Sequence, residues 1–413
     1  MTIQHSTLTA WHLVTLCLIG IGISISCESL FPQGLPEDQI LDGPVEGLSP
    51  AQLSQFIQGD AAFNNQIFTP LNGLGPIFVA TSCGSCHPGD GKGHPFTTLT
   101  RFGQTDAAGN LFLGQGGPQL QQHALPGFEP EEIPVGATFS KFMPPAVTGL
   151  GFLEAVPDID ILLMADPTDA DSDGISGRVN WIALPGFITP TIDHISNNGK
   201  FIGRFGKKAG AFNLLNQTVN AYIQDMGVTT TYHPEELLSA RTGSSLNDNV
   251  SDPELSQSTV DNVVFYLKTL KTPVQRKQND AEILTGKNIF RQLGCEGCHR
   301  ETLTTGYSPI KPLSYVAFHP YTDLLLHDMG PGLDDGYTEG TAMTSEWRTP
   351  PLWGLGLSKN SQGGKYFLLH DGRATGIEQA ILLHGGEAQT SKVAYTSLSK
   401  EEKQKLITFL ESL

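Results

Sequence analysis

The 413-residue chain is poor in cysteine, with six in all. Two of these, Cys17 and Cys27, lie in the N-terminal segment, and the other four fall in two short motifs. None is left for a structural disulfide in the mature body. Cations are also scarce. Lys and Arg number 25 against 42 Asp and Glu, the net charge is −17, and no Lys or Arg occurs before Lys92. Without a basic run or stripe there is no footprint for nucleic acid, which needs clustered cations against its phosphates. No long membrane-spanning run is present either. The apolar stretch Leu13–Ser26 is short for a span.

What is present reads as globular. Hydrophobic residues make up 39% and charged residues 16%, and 413 residues exceed what one core usually holds, so two domains are expected. The 46 glycines and 27 prolines predict long connecting loops. Ser49-Pro50 opens a helix that continues through Leu53, Phe56 and Ile57. Residues 88–140 read as loop. Short apolar helices are expected at Ile159–Met164 and Phe212–Met226, residues 227–258 are irregular, and Val260–Leu270 is a further helix. Thr272-Pro273 is the expected boundary. Beyond it, Asp280–Phe290 is a cappable amphipathic helix, and Ser399-Lys-Glu-Glu402 is a capping box ahead of Leu406, Ile407, Phe409 and Leu410. The order helix, motif, loop, helix occurs in both halves, a weak repeat of logic.

The motifs are Cys83-Gly-Ser-Cys86-His87 and Cys295-Glu-Gly-Cys298-His299. In C-x-x-C-H each thiol can add to a haem vinyl group, and the adjacent His supplies a nitrogen to iron. The alternatives are a zinc site, which needs four ligands as a set, or a redox dithiol, which lacks the immediate His. Two such motifs in a body with no other cysteine favour two c-type haems. Attachment of this kind occurs outside the cytoplasm, so export to the periplasm or cell envelope is expected. The segment 1–27 accordingly reads as a signal or lipoprotein-type leader. Ile23-Ser-Ile-Ser-Cys27 resembles a lipoprotein processing site, with Ser24 where Leu is usual and no Lys or Arg ahead of it. Lipidation of Cys27, plain cleavage and an uncleaved anchor all stay open. Residues 28–48, with Pro32, Pro36 and Pro44, read as a tether.

Around the motifs the sequence resembles the di-haem oxidoreductases of the peroxidase type. These are similar to bacterial di-haem cytochrome c peroxidases and to the di-haem enzyme that completes the tryptophylquinone cofactor of methylamine dehydrogenase. The resemblance is carried by Gly75–Cys83, Asp173–Arg178, Gly203–Gly206, Asp323–Gly330, Glu346–Trp353, His370–Arg373 and His384–Glu387. It implies a mainly α protein of two cytochrome-c-like haem domains with long irregular loops. Residues 49–272 would hold the reactive haem and 273–413 an electron-transfer haem. It also implies that His384 is the distal ligand of the His299 haem, where the peroxidases usually have Met. A bis-imidazole iron is low-spin and lower in potential than a His/Met iron. His370 would serve the haem surroundings without binding iron. The resemblance offers no sixth ligand for the His87 haem, and Gln217 and Asp225 match the peroxidases' distal Gln and acid. A polar group and an acid there suit O–O cleavage, although both could equally be exposed faces of a helix. Lys207 stands where the peroxidases have an inter-haem Trp, leaving Phe205 as a substitute. The family reading is peroxide reduction fed by a small donor such as a cytochrome or cupredoxin, for which an acidic surface favours a basic partner. Oxidation of a protein or organic substrate and simple electron carriage are the alternatives. Finally, Asp169, Asp171 and Asp173 followed by Gly174 have the ligand order of a calcium loop, closed by Asn180 where an EF-hand has Glu. An Asp/Gly turn would look the same.

Overall fold

The computed structural model describes residues 41–106, 109–237 and 247–413. The leader with Cys17 and Cys27, most of the tether, and the export and lipid-anchor expectations tied to them lie outside the described residues. Residues Leu41–Leu413 form one compact unit. Helix accounts for 35% of the chain and strand for 12%, so the expected mainly α fold is met only in part. No helix among the described residues is long and apolar enough to cross a membrane.

Eight α-helices of seven residues or more lie among the described residues. They are α1 (Pro50–Asp60), α2 (Asp158–Met164), α3 (Leu214–Met226), α4 (Gln257–Thr269), α5 (Ala281–Gln292), α6 (Ile377–Leu383), α7 (Gln389–Thr396) and α8 (Lys400–Ser412). Local chemistry explains their starts. Ser49 and Gln52 form a reciprocal capping box on α1, and Ser399 and Glu402 do so on α8. Asn213, Ser256 and Asp280 each accept a backbone N–H at the starts of α3, α4 and α5. Helix α3 stops where Gly227 turns to φ 67°, a conformation that glycine adopts without strain.

The two halves share one packing device. Helix α4 crosses α1 at Gly59, where a Cβ would lie 2.1 Å from the Asn262 carbonyl oxygen and 2.6 Å from Tyr266 Cβ. Helix α8 crosses α5 at Gly286, where a Cβ would lie 2.1 Å from the Lys405 carbonyl oxygen and 2.7 Å from Phe409 Cβ. Four residues after each glycine comes a phenylalanine. The Phe63 ring is 5.6 Å from Tyr266 and 5.9 Å from His87. The Phe290 ring is 5.5 Å from Phe409 and 6.4 Å from His299. Each half thus runs glycine, phenylalanine, motif histidine, and sets an aromatic of its last helix against the first two.

The expected loop 88–140 is not wholly irregular. Strand β1 (Leu99–Phe102) within it pairs antiparallel with β2 (Phe139–Phe142). Farther on, β3 (Leu326–Asp328) pairs with β4 (Glu346–Arg348), setting His327 opposite Trp347. The larger hydrophobic cluster draws on α1, α3 and α4 but also takes in Leu303, Ile310, Leu313, Phe318, Leu324 and Leu325 from beyond Thr272-Pro273. The smaller cluster lies wholly between Ile283 and Leu413. The helices therefore segregate by half, while part of the C-terminal chain packs in the N-terminal core.

Candidate haem-binding cavity

Both motifs open on one continuous cavity with about 3190 Å3 of empty space, its mouths included. The first motif is a single helical turn, Cys83–Cys86, capped by Ser82. The second follows α5 after the left-handed Gly294. All four cysteines are free. Burial pushes Cys83 and Cys295 up to about 12 and Cys86 to about 11, and it raises Cys298 as well. Burial of this kind favours the neutral thiol over the thiolate that a reactive dithiol needs.

Three histidines line the cavity with one nitrogen spent. His87 Nδ1 is 2.8 Å from the Pro145 carbonyl oxygen, His299 Nδ1 is 3.0 Å from that of Tyr321, and His384 Nδ1 is 2.7 Å from that of Ala380. A carbonyl only accepts, so each Nδ1 carries the proton and each Nε2 presents a lone pair. Burial lowers His87 and His299 to about 4, with His384 adding to the effect on His299, and burial lowers His384 too. Neutral imidazole with an anchored Nδ1 is the state that binds a metal. His384 is thus no surface histidine. It shares the cavity wall with His299, whereas His370 has its Nε2 tied to Asp335 at 2.7 Å.

The remaining wall also suits a porphyrin. Lys92, Lys207 and Arg348 reach the cavity. Burial, then Lys92 and Arg348, brings Lys207 down to about 7, and burial brings Lys92 to about 8. Neither ammonium has a hydrogen-bond partner among the described residues. Cations so placed call for anions, and haem brings carboxylate arms. Thr218 Oγ1 and Tyr222 Oη are likewise buried on this wall without partners. The zinc alternative fares worse. At the second motif Cys298 lies with Asp323 and His327 in a group of ligand-capable side chains, but Cys295 is not in that group. Both His327 nitrogens are already held, Nδ1 by Glu387 at 2.6 Å and Nε2 by Asp323 at 2.8 Å. The paired carboxylates outweigh burial and push this imidazole up to about 12, so it is a cation and not a ligand.

Gln217 and Asp225 both line the cavity, so neither lies on an exposed helix face. They are eight residues apart on α3, about 12 Å along its axis. Asp225 keeps other company. Its Oδ1 accepts a short hydrogen bond from Gln119 Nε2, and Gln119 Oε1 accepts from Arg101 Nη1 at 3.4 Å. Arg101, Gln119, Gln224 and Glu339 all reach the cavity and escaped sequence reasoning. The available signal was slight: Arg101 is the first arginine of a cation-poor chain.

Lys207 replaces the family's inter-haem Trp, yet an aromatic arrives from elsewhere. Arg348 N donates to the Lys207 carbonyl at 2.9 Å, which brings β4 alongside and sets Trp347 in the cavity wall. His370 stacks on Trp347 at 3.6 Å and 6°, and Lys208 Nζ sits 3.9 Å from the ring centroid on the opposite face. Phe205 also lines the cavity.

The calcium-type loop differs from its expected ligand set. The carboxylates that cluster are Asp166, Asp169 and Asp171, while Asp173 is not among them. Asp173 Oδ1 accepts from Ile175 N, Asp171 Oδ1 from Asp173 N, and Asp169 Oδ1 from Gly174 N, the bonds of an Asp/Gly turn. Asn180 is buried and bonded to Lys208, Glu339 and Thr341, so it does not close the loop.

Comparison with known proteins agrees with a haem site. Residues 134–413 match the family model described as "Di-haem oxidoreductase, putative peroxidase". No curated protein matches the chain. Two solved structures are similar over 93% of this chain. One is hydrazine synthase of Kuenenia stuttgartiensis, at 14% identity, 93% of that chain and a TM-score of 0.39. The other is a MauG-like protein associated with microbial copper homeostasis, at 13% identity, 95% of that chain and a TM-score of 0.39.

Proposed function

The chain belongs to the di-haem oxidoreductase family, and from that premise we propose that it is an exported c-type enzyme reducing hydrogen peroxide with electrons from a small donor. The observation that carries this reading is the shared cavity, where three neutral imidazoles with anchored Nδ1 atoms accompany both C-x-x-C-H motifs. Cys83 and Cys86 would attach one haem and Cys295 and Cys298 the other. His299 and His384 would hold one iron, suited to electron storage, and His87 would hold the other, which would supply the site for substrate. When bound, the haems supply the iron that takes up electrons and engages the peroxide oxygen. The chain's own residues do the rest. His327, held between Asp323 and Glu387, packs against Cys298 with Nδ1 3.5 Å from Sγ and braces that end of the motif. Asp225, which burial raises to about 6, is poised to hold and release a proton near neutral pH. The apolar wall around α3 and α4 excludes water from the reacting oxygens. The donor is a cytochrome or cupredoxin with a basic docking face, drawn by the net charge of −17. The Asp166, Asp169 and Asp171 carboxylates, whose ligand-capable oxygens lie within 4.8 Å of one another, would be the ones to hold a calcium ion.

Electron paramagnetic resonance of the exported holoprotein tests the reading, as isolated, after one-electron reduction, and after peroxide. The expected result is one bis-imidazole low-spin iron and one high-spin iron that responds to peroxide, with peroxide consumed when reduced cytochrome is supplied. Two low-spin irons that ignore both reductant and peroxide would overturn it in favour of an electron carrier.

A further inference from the structure

Strand β1 has alternating burial: Thr100 and Phe102 turn into the core, and Leu99 and Arg101 turn to the cavity. The Arg101 guanidinium is held on three sides. Nη2 pairs with Glu339 at 2.8 Å, Nε donates to the Tyr337 hydroxyl at 3.2 Å, and Nη1 donates to Gln119 Oε1 and Gln224 Oε1, both at 3.4 Å. Gln119 is 2% exposed and its carboxamide has one workable orientation. Its oxygen faces the Arg101 donor, and its nitrogen donates to Asp225 Oδ1 and, at 3.1 Å, to the Gln224 carbonyl. A flipped amide would set oxygen against the carboxylate and nitrogen against the guanidinium. The neutral amide also keeps the two ions from joining in a direct salt bridge. Asp225 Oδ2 stays without a hydrogen-bond partner among the described residues.

We propose that Arg101, acting through Gln119, is the positioning residue that holds Asp225 as the proton-handling group beside the His87 haem. The proposal rests on the peroxidase reading. Reduction of hydrogen peroxide to two waters consumes two electrons from the donor and two protons from solvent. Asp225 takes the proton from one peroxide oxygen and returns it to the other as the O–O bond breaks, so the carboxylate ends as it began. Arg101 keeps that carboxylate ionised and aimed, with Glu339 and Tyr337 fixing the guanidinium in turn. The titratable groups facing Asp225 are Arg101 from β1 and Cys83 and Cys86 from the first motif. The two cysteines become uncharged thioethers once haem is attached, which leaves Arg101 as the charged side chain facing Asp225.

The test is an infrared pH titration of the Asp225 carboxyl in the holoprotein, identified as the band missing from Asp225→Asn. In Arg101→Met the midpoint should rise by about one pH unit, because an opposite charge that favoured the carboxylate is gone. Arg101→Lys should restore most of the shift. Gln119→Leu removes the connecting amide without removing a charge and should move the midpoint the same way, which covers the case that Arg101→Met fails to fold. The acid limb of peroxide turnover should follow the infrared midpoint in every variant. An unmoved midpoint in both Arg101→Met and Gln119→Leu overturns the proposal, as does an acid limb that survives in Asp225→Asn. If the midpoint moves as expected but the wild type does not consume peroxide, the positioning stands and the peroxidase reading falls.

Discussion

Replacing Gly286 with alanine should loosen the C-terminal haem half selectively. A Cβ at this position would lie 2.1 Å from the Lys405 carbonyl oxygen and 2.7 Å from Phe409 Cβ. The nearer atom is backbone and cannot step aside, so α5 and α8 must separate by more than about 1 Å to reach ordinary van der Waals distance. Overpacking of this kind costs about 1–3 kcal/mol, and the upper end applies where helix backbone must move. Alanine returns about 1 kcal/mol through its helix propensity. The net is a loss of about 2 kcal/mol. Urea unfolding of the holoprotein, followed by absorbance of each haem, measures it. Phe290 packs beside His299 and Phe409 packs on Phe290, so the His299 haem should detach from its native spectrum first in Gly286→Ala. The His87 haem should do so in Gly59→Ala, where the same geometry is repeated. Leu284→Ala, at a side chain 45% exposed on the same helix, should change stability by no more than about 0.5 kcal/mol. A Gly286→Ala protein as stable as wild type, or one whose His87 haem yields first, would refute the view that each crossing supports its own haem.

His384→Met should keep the C-terminal iron low-spin while raising its reduction potential, since a thioether is the weaker donor to ferric iron; spectroelectrochemistry reads the change, and an unchanged potential would remove His384 as a ligand. His87→Gly should abolish the peroxide response and leave the bis-imidazole resonance of the other haem intact. Asp90 is 1% exposed and burial raises it to about 6, so the folded chain holds a proton that the unfolded chain releases near pH 4. Its contribution to stability is therefore full below about pH 4 and is lost as pH rises to about 6. Asp90→Asn should flatten that window, with a relative gain of about 2 kcal/mol at pH 7 and none at pH 4, measured by urea unfolding at the two pH values.

Much of the site was legible because its chemistry is local. A C-x-x-C-H run states its own use, and Ser49, Asp280 and Ser399 announce helix starts through side chains that bond within three residues. The His384 assignment came through resemblance, and the anchored Nδ1 gives it a physical basis. What was illegible depends on distant pairing. Arg101 meets Gln119 because the chain returns to bridge the two residues, and Asp225 only because α3 arrives much later in the chain, while β1 itself has four residues, too few for alternation to stand out. Asp166 joins Asp169 and Asp171 although it lies before the motif that drew attention, because the turn folds back on it. Beneath the repeated order of helix, motif, loop and helix lies a residue match: Gly59-Asp-Ala-Ala-Phe63 and Gly286-Lys-Asn-Ile-Phe290 share glycine and phenylalanine four apart. Only the helix crossings show why those two positions matter.

A single chamber serving both motifs couples the loading of one haem to the other. Cys83, Cys295 and Cys298 are half-buried and Cys86 is buried, all four on the same wall. Whichever porphyrin were joined first would become part of the lining that the second has to fit.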